Sequence, residues 1–176
     1  MPSANPLCFR SPTSCMEGAP IPVKISLHNR QRALPVRPAA LRRLVRALAR
    51  RAFPPDAPPP PGELAVLLVD DAAMPDYKAG CFGARLQTDV VAQAYAALPG
   101  VFHATAEMVV NAERALAEGR RRAGGPAREL ALYIAHGLDH LAGADDDTPS
   151  RRRAMRRRET AWLDADPAVW EGIIGP

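Results

Sequence analysis

The sequence contains few cysteines and no long apolar run. Cys8, Cys15 and Cys81 are widely spaced and form no C-x-x-C pair, which argues against a disulfide framework and against a cysteine zinc site. No stretch of about 18 apolar residues is present, and residues 1–17 contain proline, serine and polar residues where a signal peptide would have an apolar centre. The sequence therefore predicts a cytoplasmic protein with no membrane segment.

Lysine is also scarce, since all but Lys24 and Lys78 of the 23 basic residues are arginine, and the net charge is +4. An arginine-rich chain favours a phosphate-rich partner, although a general compositional bias would produce the same count. The length of 176 residues suits one domain. We expect a disordered extension over residues 1–20, one domain over 21–165 and a tail over 166–176.

Hydrophobic periodicity predicts the order of the secondary structure. Apolar alternation or short apolar runs predict strands at residues 23–27, 64–69, 88–91 and 106–110, and the continuous run at 64–69 is typical of a strand buried on both faces. Helical spacing, proline and capping residues predict helices after Pro38, from Asn111 to about residue 122, from Pro126 to Gly143, and from Thr148 to Leu163. Residue types that can bind a metal ion are concentrated at the end of the third predicted helix.

Two histidines lie four residues apart in the segment AHGLDHLAGADDD, residues 135–147. On a helix, His136 and His140 would share one face and could bind one metal ion, but they leave a tetrahedral ion short of ligands. Gly143 can end the helix with a positive φ and turn the chain back. One of the three acids at 145–147 would then reach the ion, with His28 or His103 as alternative ligands.

A zinc-peptidase function has little support in this motif. Proteases of the H-E-x-x-H type use the glutamate after the first histidine as general base. Gly137 occupies that position here, so the main catalytic group of such an enzyme is absent.

The histidine segment resembles the signature H-G-x-x-H-L-x-G-Y-D-H of the YbeY family of metal-dependent endoribonucleases. The matching residues are His136, Gly137, His140, Leu141, Gly143 and Asp145. Ala144 replaces the usual tyrosine, and Asp146 replaces the third histidine ligand. The resemblance extends over about residues 21–165, through T-D-V at residues 88–90, E-M-V-V at 107–110, and Met155, Glu159 and Leu163 in the last helix.

The resemblance implies an α/β (α+β) single domain with a small mixed sheet of about four strands covered by helices. It also implies a zinc-dependent, single-strand-specific endoribonuclease that acts in ribosomal RNA maturation, at the small-subunit RNA 3′ end, and in ribosome quality control. Zinc would be held by His136, His140 and Asp146, and partners would be ribosomal RNA and the small subunit. An aspartate ligand suits zinc but widens acceptance of harder ions such as manganese.

Cleavage of a phosphodiester needs cations near the phosphate. The resemblance implies a catalytic cation shortly before the T-D-V strand, and Lys78 and Arg85 are the two candidates for it. Arg120, Arg121 and Arg151 are candidates for RNA contact. Asp139 could orient an imidazole, accept a proton or simply face solvent. The alternative function is a non-catalytic ribosome-assembly or RNA-binding factor in which the metal is structural. The number of subunits is not predicted.

Overall fold

The fold is described from a computed structural model that covers residues 23–55, 60–96 and 104–175. The predicted extension at residues 1–20, the cysteines Cys8 and Cys15, and His103 lie outside these residues.

A four-stranded mixed sheet forms the centre of the domain, as predicted. Its strands are β1 (Lys24–Asn29), β2 (Glu63–Val69), β3 (Val90–Tyr95) and β4 (Thr105–Asn111). They lie in the order β1-β2-β4-β3, with β2 parallel to β1 and to β4 and with β3 antiparallel to β4. The antiparallel strands β3 and β4 are consecutive in the chain, whereas the strands of each parallel pair are joined by longer connections that contain a helix.

Six helices occur in the described ranges. They are α1 (Pro38–Ala52), α2 (Met74–Phe82), α3 (Ala112–Gly119), α4 (Gly125–Leu141), α5 (Pro149–Asp164) and α6 (Ala168–Glu171). Proline occupies the first turn of α1, α2, α4 and α5, where its missing N–H costs no hydrogen bond. Side chains cap two helices, since Asn111 accepts from the Arg114 N–H and Thr148 accepts from the Arg151 N–H.

The hydrophobic core lies between the sheet and the layer formed by α1 and α4. Leu44, Leu64, Met108 and Leu138 are among its fully buried side chains. Burial of such side chains is the main favourable term in folding, at about 1.5–3 kcal/mol each. The central helix α4 contacts both the sheet and α5, so residues on α4 are fixed from two sides.

The prediction that residues 64–69 are buried on both faces holds only at the end of the strand. Leu64, Val66 and Leu68 are buried on one face, whereas on the other face Val69 is buried and Ala65 and Leu67 are only partly covered. The physical reason is that α1 and α4 cover one face of the sheet, whereas the other face holds a smaller cluster around Met74 of α2.

Several element boundaries also differ from the predictions. The third strand in sequence begins at Val90 and runs to Tyr95, and α3 ends at Gly119. Helix α2 was not predicted.

Residues 166–175 pack on the domain, with Ile173 fully buried and Ile174 bridged to Val36. No helix in the described ranges is both long and apolar enough to cross a membrane.

Candidate metal centre

The two motif histidines lie at the C-terminal end of α4, on one face of the helix. Gly143, with φ of 93°, ends this helix in the left-handed conformation that only glycine adopts without strain. The chain then turns back and brings Asp146 to the histidines. One ligand atom from each of His136, His140 and Asp146 lies within 4.8 Å of the others, as the sequence predicted for this trio.

Hydrogen bonds turn both imidazoles towards each other. His136 donates from Nδ1 to Glu159 Oε1 at 2.6 Å, and His140 donates from Nδ1 to the Ala144 carbonyl at 3.0 Å. Because both acceptors are oxygens, each ring has a proton on Nδ1, and in the neutral ring Nε2 is then the nitrogen with a free lone pair. The two Nε2 atoms are 3.2 Å apart.

Two lone pairs at this distance repel unless a cation or a proton lies between them. Ligand atoms about 2.1 Å from a tetrahedral ion are separated by about 3.4 Å, which is close to the observed separation of the imidazole nitrogens. The third ligand atom, Asp146 Oδ1, is 4.0 Å from His140 Nε2, within reach of a small side-chain rotation. The donor set therefore fits a divalent ion with room for one further ligand.

Glu159 is the buried partner of the first histidine, and only 1% of its side chain is exposed. Burial alone lowers the pKa of His136, but the hydrogen bond and negative charge of Glu159, together with Asp89 and Asp146, raise this pKa above its ordinary value. A carboxylate behind a ligating histidine fixes the ring's tautomer and orientation and makes it a stronger ligand.

Gly137 allows α4 to approach the sheet closely enough to place the histidines. A Cβ atom at this position would lie 2.2 Å from Met108 Sδ and 2.9 Å from Val90 Cγ2, and both are closer than atoms can pack. The glycine of the motif is therefore required by helix-to-sheet packing rather than by chemistry at the metal.

The histidines open into a cleft of about 580 Å³, a size typical of small-ligand sites. Its floor is the start of the edge strand β3, and its walls are α2 on one side and α5 on the other. The charged side chains that line it are Lys78, Asp89, Asp146, Arg152, Arg156 and Glu159, beside the two histidines His136 and His140.

Of the two candidate catalytic cations, the structure brings only Lys78 to the cleft. Arg85 is exposed, pairs with Asp76 and does not line the cleft. Lys78 reaches the cleft because it lies on α2, which packs on the sheet through Met74.

Asp139 lies neither in the cleft nor in solvent. Its side chain is 5% exposed, and Arg158 of α5 donates to both carboxylate oxygens at 2.6–3.2 Å. Burial raises the pKa of Asp139 above its ordinary value, although Arg158 opposes this shift. Of the three alternatives for Asp139, its burial excludes a solvent-facing position, and its contact with Arg158 holds α4 to α5.

The three arginines predicted to contact RNA lie away from the cleft lining. Arg151 pairs with Asp145 and Asp147. Arg120 and Arg121 follow Gly119, which contacts Pro126 at the start of α4, and ten helical residues separate this point from His136 by about 15 Å. The alternative ligand His28 lies on β1, at the opposite edge of the sheet from β3.

The cleft also contains residues that were not among the predicted site residues, including Phe82, Arg152, Arg156 and Glu159. A signal existed for those on α5, because Glu159 is the only acidic residue between Asp147 and Asp164, in a segment rich in arginine. Arg152, Arg156 and Glu159 also follow the i, i+4, i+7 spacing of one helical face. Nothing in the sequence indicates that this face meets the histidines.

Comparisons with known proteins match this chain to one protein family. A family model described as Endoribonuclease YbeY matches residues 26–165. The Endoribonuclease YbeY of Anaeromyxobacter sp. (strain Fw109-5) is 32% identical over 113 residues, 64% of this chain and 56% of the relative. That of Moorella thermoacetica is 29% identical over 151 residues, 80% of this chain and 96% of the relative.

Coverage differs among these relatives. The chain spans about half the length of the first two, with 56% for the Anaeromyxobacter protein and 52% for that of Rhodopirellula baltica. The solution structure of TM1509 from Thermotoga maritima is similar, with a TM-score of 0.47 and 17% identity over 83% of this chain and 92% of that one.

Proposed function

Because this chain belongs to the YbeY family, we propose that it is a zinc-dependent endoribonuclease that cleaves single-stranded RNA. The observation that carries the proposal is the cluster of His136, His140 and Asp146, whose ligand atoms lie within 4.8 Å of one another in a cleft lined by basic residues. The family name supplies the reaction, and the cluster supplies a site at which it can occur.

The chain's own residues prepare the centre for a metal ion. Glu159 and the Ala144 carbonyl hold the two Nδ1 protons, so both Nε2 atoms are available as ligands. Zinc accepts two imidazoles and one carboxylate and keeps a fourth position open. When bound, it would make a water molecule more acidic and polarise a phosphoryl oxygen.

Positive side chains in the cleft support a phosphodiester substrate. Lys78 lines the cleft from α2, and Arg152 and Arg156 line it from α5. Cations in these positions bind phosphate and offset the negative charge that develops on its oxygens during cleavage. We therefore assign Lys78, rather than Arg85, the role of the cation opposite the metal centre.

Ribosomal RNA is the proposed substrate, with cleavage during maturation of the small-subunit RNA 3′ end and in ribosome quality control. This part rests on family membership, as do the cytoplasmic location, contact with the small subunit and a catalytic domain at residues 21–165. Arg120, Arg121 and Arg151 would then contact RNA outside the cleft, where binding weakens with salt.

Zinc is the proposed metal ion. Because Asp146 adds a negative oxygen ligand, the site should select zinc over harder ions such as manganese less strongly than a site of three neutral histidines would. Metal analysis of protein purified without a histidine tag tests this proposal. We expect about one equivalent of zinc in the wild type and a loss in His136→Ala. Absence of stoichiometric metal from the wild type, or its retention in the variant, would contradict the site.

Cleavage itself is tested by incubating a single-stranded oligoribonucleotide with the wild type and with His140→Ala, after circular dichroism has shown that both are folded. We expect cleavage by the wild type only. Equal cleavage by both proteins would indicate a contaminating nuclease. Binding without cleavage by the wild type would favour the ribosome-assembly factor with a structural metal.

A further inference from the structure

The cleft beside the metal centre has two different walls, each formed by residues four apart on a helix. Lys78 and Phe82 lie on α2, and Arg152 and Arg156 lie on α5. Residues at this spacing share a helical face, so each wall presents a continuous pair of side chains to the space above β3.

The charges of this cleft are not fully paired within the protein. Arg152 pairs with Asp146, and Glu159 pairs with His136. Lys78 and Arg156 form no salt bridge with a carboxylate in the described parts of the chain. Since three cations and three carboxylates line the cleft, a divalent ion would leave it positive, and an anionic ligand is favoured there.

Phe82 adds an apolar surface to this otherwise charged cleft. It is the last residue of α2, before Gly83 with φ of 69°, and it remains 55% exposed. Aromatic residues make up only 5% of the chain, and most large apolar side chains are buried. An exposed aromatic ring beside cations is the combination with which proteins bind single-stranded nucleic acids, because the ring stacks on a base while the cations bind phosphate.

We propose that Phe82 and Arg156 form a nucleotide-binding subsite next to the metal centre, in which an unpaired base stacks on Phe82 and an adjoining phosphate binds Arg156. The inference rests on the proposed function, since it names the part of a single-stranded substrate that each wall contacts. The bases of a duplex are already stacked on each other, so only a strand with an unpaired base can use this subsite. The subsite would thus discriminate against paired RNA.

Binding can be measured apart from cleavage, with the zinc-loaded full chain and a fluorescein-labelled single-stranded 2′-O-methyl oligoribonucleotide that gel electrophoresis shows to stay intact. Fluorescence anisotropy then reports affinity. We expect Phe82→Ala to weaken binding by about 5- to 100-fold, which is the usual contribution of one stacked base. Phe82→Trp keeps an aromatic face and should retain the affinity. Leu86→Ala is the matched control, because Leu86 lies four residues after Phe82 and is 62% exposed but does not line the cleft.

An oligonucleotide with abasic sites separates stacking from a general effect on structure. The loss caused by Phe82→Ala should disappear on the abasic strand, since no base is left to stack. Arg156→Ala should weaken binding to both strands and reduce the salt dependence by about one charge. Its control, Arg153→Ala, removes the same charge from an exposed position of α5 outside the cleft and should have a smaller effect.

Unchanged affinity of Phe82→Ala, or an equal loss on normal and abasic strands, would overturn the subsite. In that case the wild type would still bind and cleave single-stranded RNA, so the proposed function would stand. A wild type that neither binds nor cleaves single-stranded RNA would overturn both proposals.

Discussion

At the residue scale, Glu159 has the clearest role that can be separated from metal ligation. Glu159 lies on α5 and accepts a hydrogen bond from the Nδ1–H of His136, with Nδ1 and Oε1 2.6 Å apart. The group acts through the histidine, so it is a positioning residue and not a ligand. Its removal should therefore weaken metal binding without abolishing the site.

We expect Glu159→Gln to lower zinc affinity by about 10- to 100-fold, the usual effect of losing a carboxylate behind a histidine ligand. The amide keeps the shape of the side chain but lacks the negative charge. Competition with a chromophoric chelator measures the affinity, and the absorption spectrum of the cobalt-substituted protein reports ligand geometry. A variant with wild-type zinc affinity and an unchanged cobalt spectrum would contradict this role.

Individual residues also show how far the sequence alone could lead. Motif spacing placed His136 and His140 beside an acid at residues 145–147, and the family resemblance named Asp146, because all of these residues are local to one helix end and its turn. Glu159 and Arg156 could not be placed in this way, since their roles depend on which face of α5 packs against α4. The face of α5 that packs against α4 depends on contacts between residues far apart in the sequence. The sequence of α5 does not indicate this face, because charged residues occur on most sides of the helix.

At the element scale, α4 is the helix on which the centre depends. It is held against the sheet through Gly137 and against α5 through Asp139 and Arg158. Because a buried carboxylate without a partner costs about 1–3 kcal/mol or more, this ion pair favours one docking of α5. The same docking brings Glu159 to His136.

Gly137→Ala should destabilise the protein by about 1–3 kcal/mol, because the added methyl group overlaps Met108 and Val90. Alanine's better helix propensity offsets up to about 1 kcal/mol of this cost. Urea unfolding measures the change. Gly80→Ala is the matched control, since nothing lies within 4 Å of a Cβ atom at that helical position, and it should leave stability unchanged or slightly higher. Equal effects of both changes would show that close packing at Gly137 is unimportant.

Helix α2 shows why an element can escape prediction. Its nine residues, MPDYKAGCF, contain one buried side chain, Met74, and no amphipathic stripe. Proline in its first turn and Gly83 after its end are valid boundary signals, but helical periodicity between them is absent. The missed helix carries Lys78 and Phe82, so Lys78 could be named as a candidate cation but could not be placed beside Phe82 on one wall of the cleft.

At the scale of the whole molecule, metal binding should be coupled to folding. The ligands come from α4 and from the turn after it, and Glu159 comes from α5, so the complete site exists only in the folded chain. An ion that binds the folded state alone stabilises it by mass action. For a chain of this size, zinc at about 100 times its dissociation constant should raise Tm by roughly 5–10 °C.

The sign of the pH dependence follows from His136. Its pKa in the metal-free fold lies above the ordinary 6.5, so protonation stabilises that fold fully below pH 6.5 and the contribution is lost as pH rises through the raised pKa. The proton that His136 loses at this pKa is the one on Nε2, which is also the nitrogen that would bind zinc. Protons and zinc therefore compete for Nε2. We therefore expect the Tm gain from zinc to be larger at pH 8 than at pH 6, and small at both values in His140→Ala. Thermal unfolding with zinc and with EDTA at the two pH values tests this, and an equal or larger gain at pH 6 in the wild type would mean that zinc does not displace the His136 proton.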